Sequence, residues 1–302
     1  MNMRETIRPR RSALFMPASN ARALEKAKSL GADALVFDLE DAVSPDEKPD
    51  ARKRACACVA AGGYGNREVV IRVNPLSSAW GADDFAAVAK SGADALCVPK
   101  VQSAQDVAAV REALAKNDAP RGLAIWAMIE TPLGVLNAAA ITAVSRAETY
   151  PLEVLLMGTN DLAKETRAAQ TVERLPMLAW LSGCVAAARA YGLDILDGVY
   201  NNYRDEEGLR RQSVQGRELG MDGKTLIHPD QIAPCNEIFS PDEEEIFWAR
   251  KIIAAFDEPD NKGKGVLTLE GSMVELMHLE IAKRAVAIAE AIAQTRKPGD
   301  DL

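Results

Sequence analysis

The sequence predicts a (β/α)8 barrel followed by a C-terminal helical extension. Three observations predict it. Eight short runs rich in β-branched residues alternate with Ala-rich stretches of helical period, as parallel strands covered by helices do. One helix-end, turn and strand pattern recurs as SLGADALVFD (29–38) and KSGADALCVP (90–99), with ELGMDGKTLI (218–227) as a looser third copy. No GxGxxG follows the first run, which argues against an open dinucleotide-binding sheet.

In chain order the strand candidates are SALFMP (12–17), ALVFDLED (34–41), EVVIRVNP (68–75) and ALCVPKV (95–101), then LAIWAMIET (123–131), VLLMGTND (154–161), LDILDGVY (193–200) and KTLIHP (224–229). Between them lie amphipathic stretches such as NARALEKAKSL, EKPDARKRACACVAA, SAQDVAAVREALAKN and DEEGLRRQSVQGREL. The Gly of each repeated pattern sits where a helix C-cap belongs. After the eighth unit, SPDEEEIFWARKIIAAFDE starts a helix at Ser240-Pro241 with acidic residues in its first turn, where the helix dipole favours them. DEPDNKGKGVLTLEGS reads as a linker carrying a short strand, and MVELMHLEIAKRAVAIAEAIAQ as a final helix. The expected division is a barrel over 1–256 and a linker with lid helix over 257–302.

Bulk properties narrow the function classes. Hydrophobic content of 48% and charged content of 26% suit a globular chain with a large core. A net charge of −8 argues against a nucleic-acid partner. No apolar run reaches the ~18 residues of a membrane span. MNMRETIRPRRS is basic, lacks the apolar region of a secretory signal and reads as a solvated lead-in, so a cytoplasmic protein is expected. Cys56, Cys58, Cys97, Cys184 and Cys235 are dispersed and read as reduced structural thiols. With only His228 and His278, a histidine-built metal site is disfavoured.

In such barrels chemistry sits at the C-terminal strand ends. There the sequence puts Pro17; Asp38, Glu40 and Asp41; Arg72 and Asn74; Lys100; Glu130; Asn160 and Asp161; Asp197; and His228. Partly buried carboxylates need partners, so this crowding points to function, although Ser19 or Asp161 could simply cap helices. Glu130 ends the apolar run AIWAMI, and Asp161 follows VLLMGTN. These two carboxylates are the metal-ligand candidates, and oxygen donors suit Mg²⁺, with Mn²⁺ as the alternative. Glu130 and Asn160 are also substrate-binding candidates. Arg72, apolar-flanked in IRVNP, suits a carboxylate or a developing enolate. Lys100 could instead form a Schiff base, a reading that metal chemistry makes unnecessary.

RSALFMPAS, VFDLEDAV with DEKPDAR, IRVNP, VPKV, MIETPLGV, GTNDLA, GKTLIHPDQI and GSMVELMHLEIAKRA together resemble the citrate lyase beta subunit and its malyl-CoA, β-methylmalyl-CoA and citramalyl-CoA lyase relatives. The resemblance implies an Mg²⁺-dependent barrel that cleaves a 3-hydroxyacyl-CoA thioester to a 2-oxo acid and acetyl- or propionyl-CoA. It implies Glu130 and Asp161 as metal ligands, and Arg72 as the residue that holds substrate and stabilises the enolate. Phe15, Met16, Lys26, Ile227 and His228 would form the CoA-binding edge, and Glu40 and Asp41 would order metal-bound water. In CoA-dependent members the tail reaches a neighbouring subunit, so a homo-oligomer, trimer or hexamer, is expected. The family usually has Asp where GSMVE places Glu275, the expected acid/base. Glutamate displaces the carboxylate by about a methylene, and misplacement of ~1 Å can cost a hundredfold in rate. The other readings are a malyl-CoA thioesterase, a citrate lyase subunit acting on a carrier-protein thioester, and a binding protein that keeps the barrel.

Overall fold

The computed structural model of the chain describes residues 7–147 and 149–295. The lead-in at 1–6 and the end of the expected lid at 296–302 lie outside the described residues. Eight parallel strands close into a barrel in chain order: β1 Ser12–Pro17, β2 Ala34–Asp38, β3 Glu68–Arg72, β4 Ala95–Val98, β5 Ala124–Ile129, β6 Leu152–Met157, β7 Asp194–Asp197 and β8 Gly223–Leu226. β8 completes it against β1, with Ser12 beside Lys224 and Leu14 beside Leu226.

Strand parity decides which side chains fill the barrel and which meet the helices. Ala13, Val36, Val70, Cys97, Trp126, Met128, Val154, Leu156 and Leu196 pack inside. Leu14, Leu35, Ile71, Leu96, Ile125, Leu155 and Ile195 belong to the outer layer. Ala13, Ala34 and Ala95 share the interior with fully buried Trp126, small side chains leaving room for one large ring.

The recurring GxD pattern has a physical meaning. Asp33 accepts a hydrogen bond from the Arg11 N–H at 2.8 Å, Asp94 from Val69 at 2.9 Å and Asp222 from Ile195 at 2.8 Å. Each aspartate ties the start of its own strand to the strand before it. Gly92 and Gly220 take the left-handed conformation of a C-cap (φ 83° and 92°). Gly31 does not, and the helix before Gly92 is already capped at Ala89, so the expectation holds only for the Gly220 copy, which follows the capping residue Leu219.

The lead-in reading fails at its inner end. Arg10 and Arg11 are buried, 3% and 7% exposed. Arg10 pairs with Glu68, Glu153 and Asp194, near the starts of β3, β6 and β7, and lies 5.5 Å over the Trp126 ring. It plugs the N-terminal mouth of the barrel.

Arg10–Phe239 is one compact unit, and the chain from Ser240 belongs to another. The division therefore falls at 239/240 rather than 256/257. The helix Glu243–Asp257 packs with the helix Leu276–Thr295, burying Ala249, Ile252, Phe256 and Ala282. The expected linker strand is half of a hairpin in which β9 Val266–Leu269 pairs antiparallel with β10 Ser272–Glu275. Glu270 and Gly271 turn it with φ 50° and 82°, the positive angles that two-residue hairpin turns favour. Among the described residues no helix is long and apolar enough to cross a membrane.

Candidate active site

The C-terminal ends of β2 to β6 carry the densest charge cluster built from the expected residues. Arg72 ends β3 with its side chain 9% exposed. Its Nε and Nη2 donate to the two oxygens of Asp38, both at 2.6 Å, a bidentate pair that fixes the plane of the guanidinium. The ring of Phe15 lies 5.0 Å from the guanidinium carbon. Nη1 faces the other carboxylates of the site and donates to Asp41. It lies 2.7 Å from Glu40 Oε2, an ion pair without hydrogen-bond geometry, and 3.3 Å from Asp41. Asp38, itself buried, also accepts the N–H groups of Glu40 (2.9 Å) and Ala42 (3.1 Å) and so shapes the loop that presents Glu40.

A second layer holds that loop from behind. Buried Lys48 donates to the carbonyls of Leu39 (2.9 Å) and Glu40 (2.8 Å) and to Asn74 Oδ1 (2.8 Å). Asn74 in turn donates to Leu39 O at 2.9 Å and to Asp84 at 2.6 Å. Asn74 is thus a scaffold for the loop rather than a group on the open rim.

Glu130 follows β5 and is 2% exposed. Its Oε1 accepts the Lys100 N–H at 2.7 Å. Burial, then the charge of Glu40, push its carboxyl up to about 7. Glu40 is likewise pushed up to about 7, first by burial, against the opposing pull of Arg72. Glu130 has room only because residue 158 is glycine, where a Cβ would come within 2.3 Å of Glu130 Cβ. Asp161 lies half-buried in the first turn of the helix Thr159–Thr166, and its charge acts on Glu130. It does not cap that helix, whose N-cap is Gly158. Lys100 Nζ lies 3.6 Å from Glu40 Oε1. Burial alone would lower its pKa, but Glu40, Glu130 and Asp161 raise it, which favours the ammonium form over a Schiff-base nucleophile.

Other expected residues lie elsewhere. Asn160 is exposed and bonds Asn201 (2.8 and 3.0 Å) and Gln170 (3.1 Å). Met16 points outward into the layer between strands and helices, because it alternates with inward Phe15. It is a core residue, not part of a binding edge. Lys26 is exposed at the end of the helix Ala21–Lys26. Ile227 is 41% exposed, and His228 stacks on Tyr203 with ring centroids 4.5 Å apart. Asp197 is not on the rim. It is fully buried on the helix side of β7, paired with Lys224 (2.8 Å) and Arg174 (2.6 Å). In the second unit Glu275 is half-buried at the end of β10, its N–H donating to His278 Nδ1 at 2.9 Å. Sequence reasoning passed over Lys48, Gly158 and Tyr203. For Gly158 the signal was present, a glycine directly after an apolar strand and opposite an expected ligand.

Among the described residues no three His, Cys, Asp or Glu side chains are grouped to hold an ion. The pair Glu130 and Asp161 remains, with anionic oxygen donors and no thiolate or imidazole beside them, a donor set that suits a hard divalent cation with water and substrate oxygens.

A closed parallel barrel whose C-terminal rim gathers buried carboxylates around one fixed guanidinium is an enzyme scaffold. Residues 11–229 match the HpcH/HpaI aldolase/citrate lyase family, and the chain belongs to it. It is 49% identical over 285 residues to (3S)-malyl-CoA thioesterase of Cereibacter sphaeroides, covering 94% of this chain and 96% of that one. It is 33% identical to the mitochondrial citramalyl-CoA lyase of Homo sapiens, covering 95% and 87%. Among solved structures, protein CitE of Mycobacterium tuberculosis in complex with magnesium, acetoacetate and coenzyme A superposes with a TM-score of 0.71 at 27% identity, covering 94% of this chain and 98% of that one.

Proposed function

We propose that this chain is a divalent-metal-dependent enzyme acting on malyl-type CoA thioesters, and that it hydrolyses them to the free acid and CoA. The observation that carries hydrolysis over C–C cleavage is the 49% identity to a (3S)-malyl-CoA thioesterase, against 33% to a citramalyl-CoA lyase. Glu130 and Asp161 would hold the ion, Mg²⁺ as in the CitE complex. When bound, the ion polarises substrate oxygens and offsets charge developing on them.

The chain's own groups do the rest. Arg72, its plane fixed by Asp38, would present Nη1 to a substrate oxygen in exchange for its contacts with Glu40 and Asp41. Glu40, whose carboxyl burial pushes up to about 7, would take a proton from the water that attacks the thioester carbon. The new C–O bond forms, the C–S bond breaks, and Glu40 returns the proton it took from water to the leaving thiolate. Ile227 and His228 would carry the CoA end, beside Tyr203. The second unit would serve as a lid on a neighbouring subunit of a homo-oligomer and bring Glu275 to it.

A lyase reading shares the first complex. Glu40 would take the proton of the 3-hydroxyl, the C–C bond would break, and the electron pair would move into the thioester facing Arg72, with Glu275 protonating the carbon. The buried guanidinium favours that reading, since it suits an enolate. The purified chain with Mg²⁺ and (3S)-malyl-CoA decides. We expect free thiol with no glyoxylate; glyoxylate and acetyl-CoA in equal amounts would replace hydrolysis with cleavage, and neither product would refute both.

A further inference from the structure

Lys100 follows β4 with φ 54°, a left-handed backbone in a residue that is not glycine. Such a conformation is disfavoured for L-residues and persists where surrounding structure enforces it, often at functional sites. Here the turn serves both ends of the residue. Its N–H donates to Glu130 Oε1 at 2.7 Å, and its Nζ lies 3.6 Å from Glu40 Oε1. Glu40 therefore has a cation at each oxygen, Lys100 at Oε1 and Arg72 at Oε2. The charges acting on the ammonium are those of Glu40, Glu130, Asp161 and Asp41.

The cations differ in freedom. Arg72 is locked to Asp38 by two 2.6 Å bonds, and Lys48 is buried among three oxygen acceptors. The Lys100 side chain is 39% exposed and ends on a flexible four-carbon stem. It can leave the carboxylates for solvent without unmaking anything behind them.

We propose that Lys100 is a tethered counter-ion of the metal site: its ammonium neutralises the carboxylate cluster in the metal-free chain, a divalent cation displaces it, and its backbone N–H keeps Glu130 in place in both states. This rests on Glu130 and Asp161 being the metal pair. Metal binding then works against the repulsion or displacement of one resident positive charge.

The test measures Mn²⁺ affinity of the full chain without substrate, from the electron paramagnetic resonance of free Mn²⁺ at fixed pH and ionic strength. Lys100→Met removes the charge and keeps the stem. Lys100→Gly removes the charge and suits the positive φ, so it folds even if the methionine variant does not. Both should bind Mn²⁺ roughly tenfold tighter, the scale of repulsion between a monovalent and a divalent cation about 5 Å apart in a water-like dielectric. Lys100→Arg, which keeps the charge, should stay within about threefold of the parent. The thermal midpoint supplies a second readout: the metal-free neutral variants should melt lower than the parent and gain more from Mn²⁺. Unchanged or weaker binding in the folded neutral variants overturns the proposal, as does equal tightening in Lys100→Arg. Glu130→Gln separates the two ideas, because Mn²⁺ binding that survives it refutes the metal pair itself.

Discussion

Gly158→Ala isolates the placement of Glu130 from its chemistry. Residue 158 has φ −89° and ψ 72°, so alanine brings no left-handed strain. The perturbation is steric alone. A Cβ there would meet Glu130 Cβ at 2.3 Å and Oε2 at 2.5 Å, whereas real Cβ contacts essentially never fall below 3.0 Å. Carbon pairs settle at about 3.5–4.0 Å, so Glu130 or the β6 end must give way by about 1 Å. Such a shift in a reacting geometry is worth roughly a hundredfold in rate, while overpacking one methyl typically costs about 1–3 kcal/mol of stability. With malyl-CoA as the proposed substrate, turnover and Mn²⁺ affinity should therefore both fall by about two orders of magnitude in a protein that still unfolds cooperatively. The assay pairs thiol release with metal titration, and with urea unfolding to establish the fold. Wild-type metal affinity and turnover in a folded Gly158→Ala protein would mean that Glu130 is not a ligand whose position matters.

Arg72→Lys keeps the charge but loses the fork that Asp38 holds, and kcat should drop by two or more orders of magnitude; a near-parental rate would reduce Arg72 to a support for the barrel. Arg10→Met should lower the urea unfolding free energy by about 3–5 kcal/mol, because buried Glu68, 3% exposed, loses the guanidinium that donates to both its oxygens. A loss below about 1 kcal/mol would refute the plug. If the second unit lids a neighbouring subunit, Glu275→Ala and Arg72→Ala proteins should each be inactive alone and regain activity after demonstrated subunit exchange. Exchange without recovery, or an active monomer, would refute donation between subunits.

The barrel was legible because each strand is a short apolar run ended by a polar residue, and because the GxD repeat marks where three strands begin. Arg72 and Glu130 were legible for the same reason, as charges terminating such runs. What failed was the side to which a charge points. Asp197 ends β7 as Glu130 follows β5, but Leu196 already occupies the inward parity, so Asp197 faces the helices. Counting alternation from Leu196 would have shown this. Arg10 was read as solvated because its partners, Glu68, Glu153 and Asp194, are scattered over the sequence and meet only once the barrel closes. The amphipathic stripe of Glu243–Asp257 likewise announces a buried face without naming what buries it. The answer is the helix that starts at Leu276.

The charge count at the rim follows from the residues that the strands deliver. Asp38, Glu40, Asp41, Glu130 and Asp161 bring five potential negative charges, and Arg72, Lys48 and Lys100 bring three positive ones, which leaves two negative charges if all are ionised. Removing charge from water without a partner is costly, and burial pushes two of these carboxyls, those of Glu40 and Glu130, up to about 7. One divalent cation at the proposed Glu130–Asp161 pair would supply the missing charge. Such an ion would also fit the graded mobility of the cations, since a site filled permanently by lysine and arginine would leave it nothing to neutralise. Arg72 stays because Asp38 holds it, Lys48 stays because carbonyls hold it, and Lys100 alone, tethered by its backbone to Glu130, is free to yield.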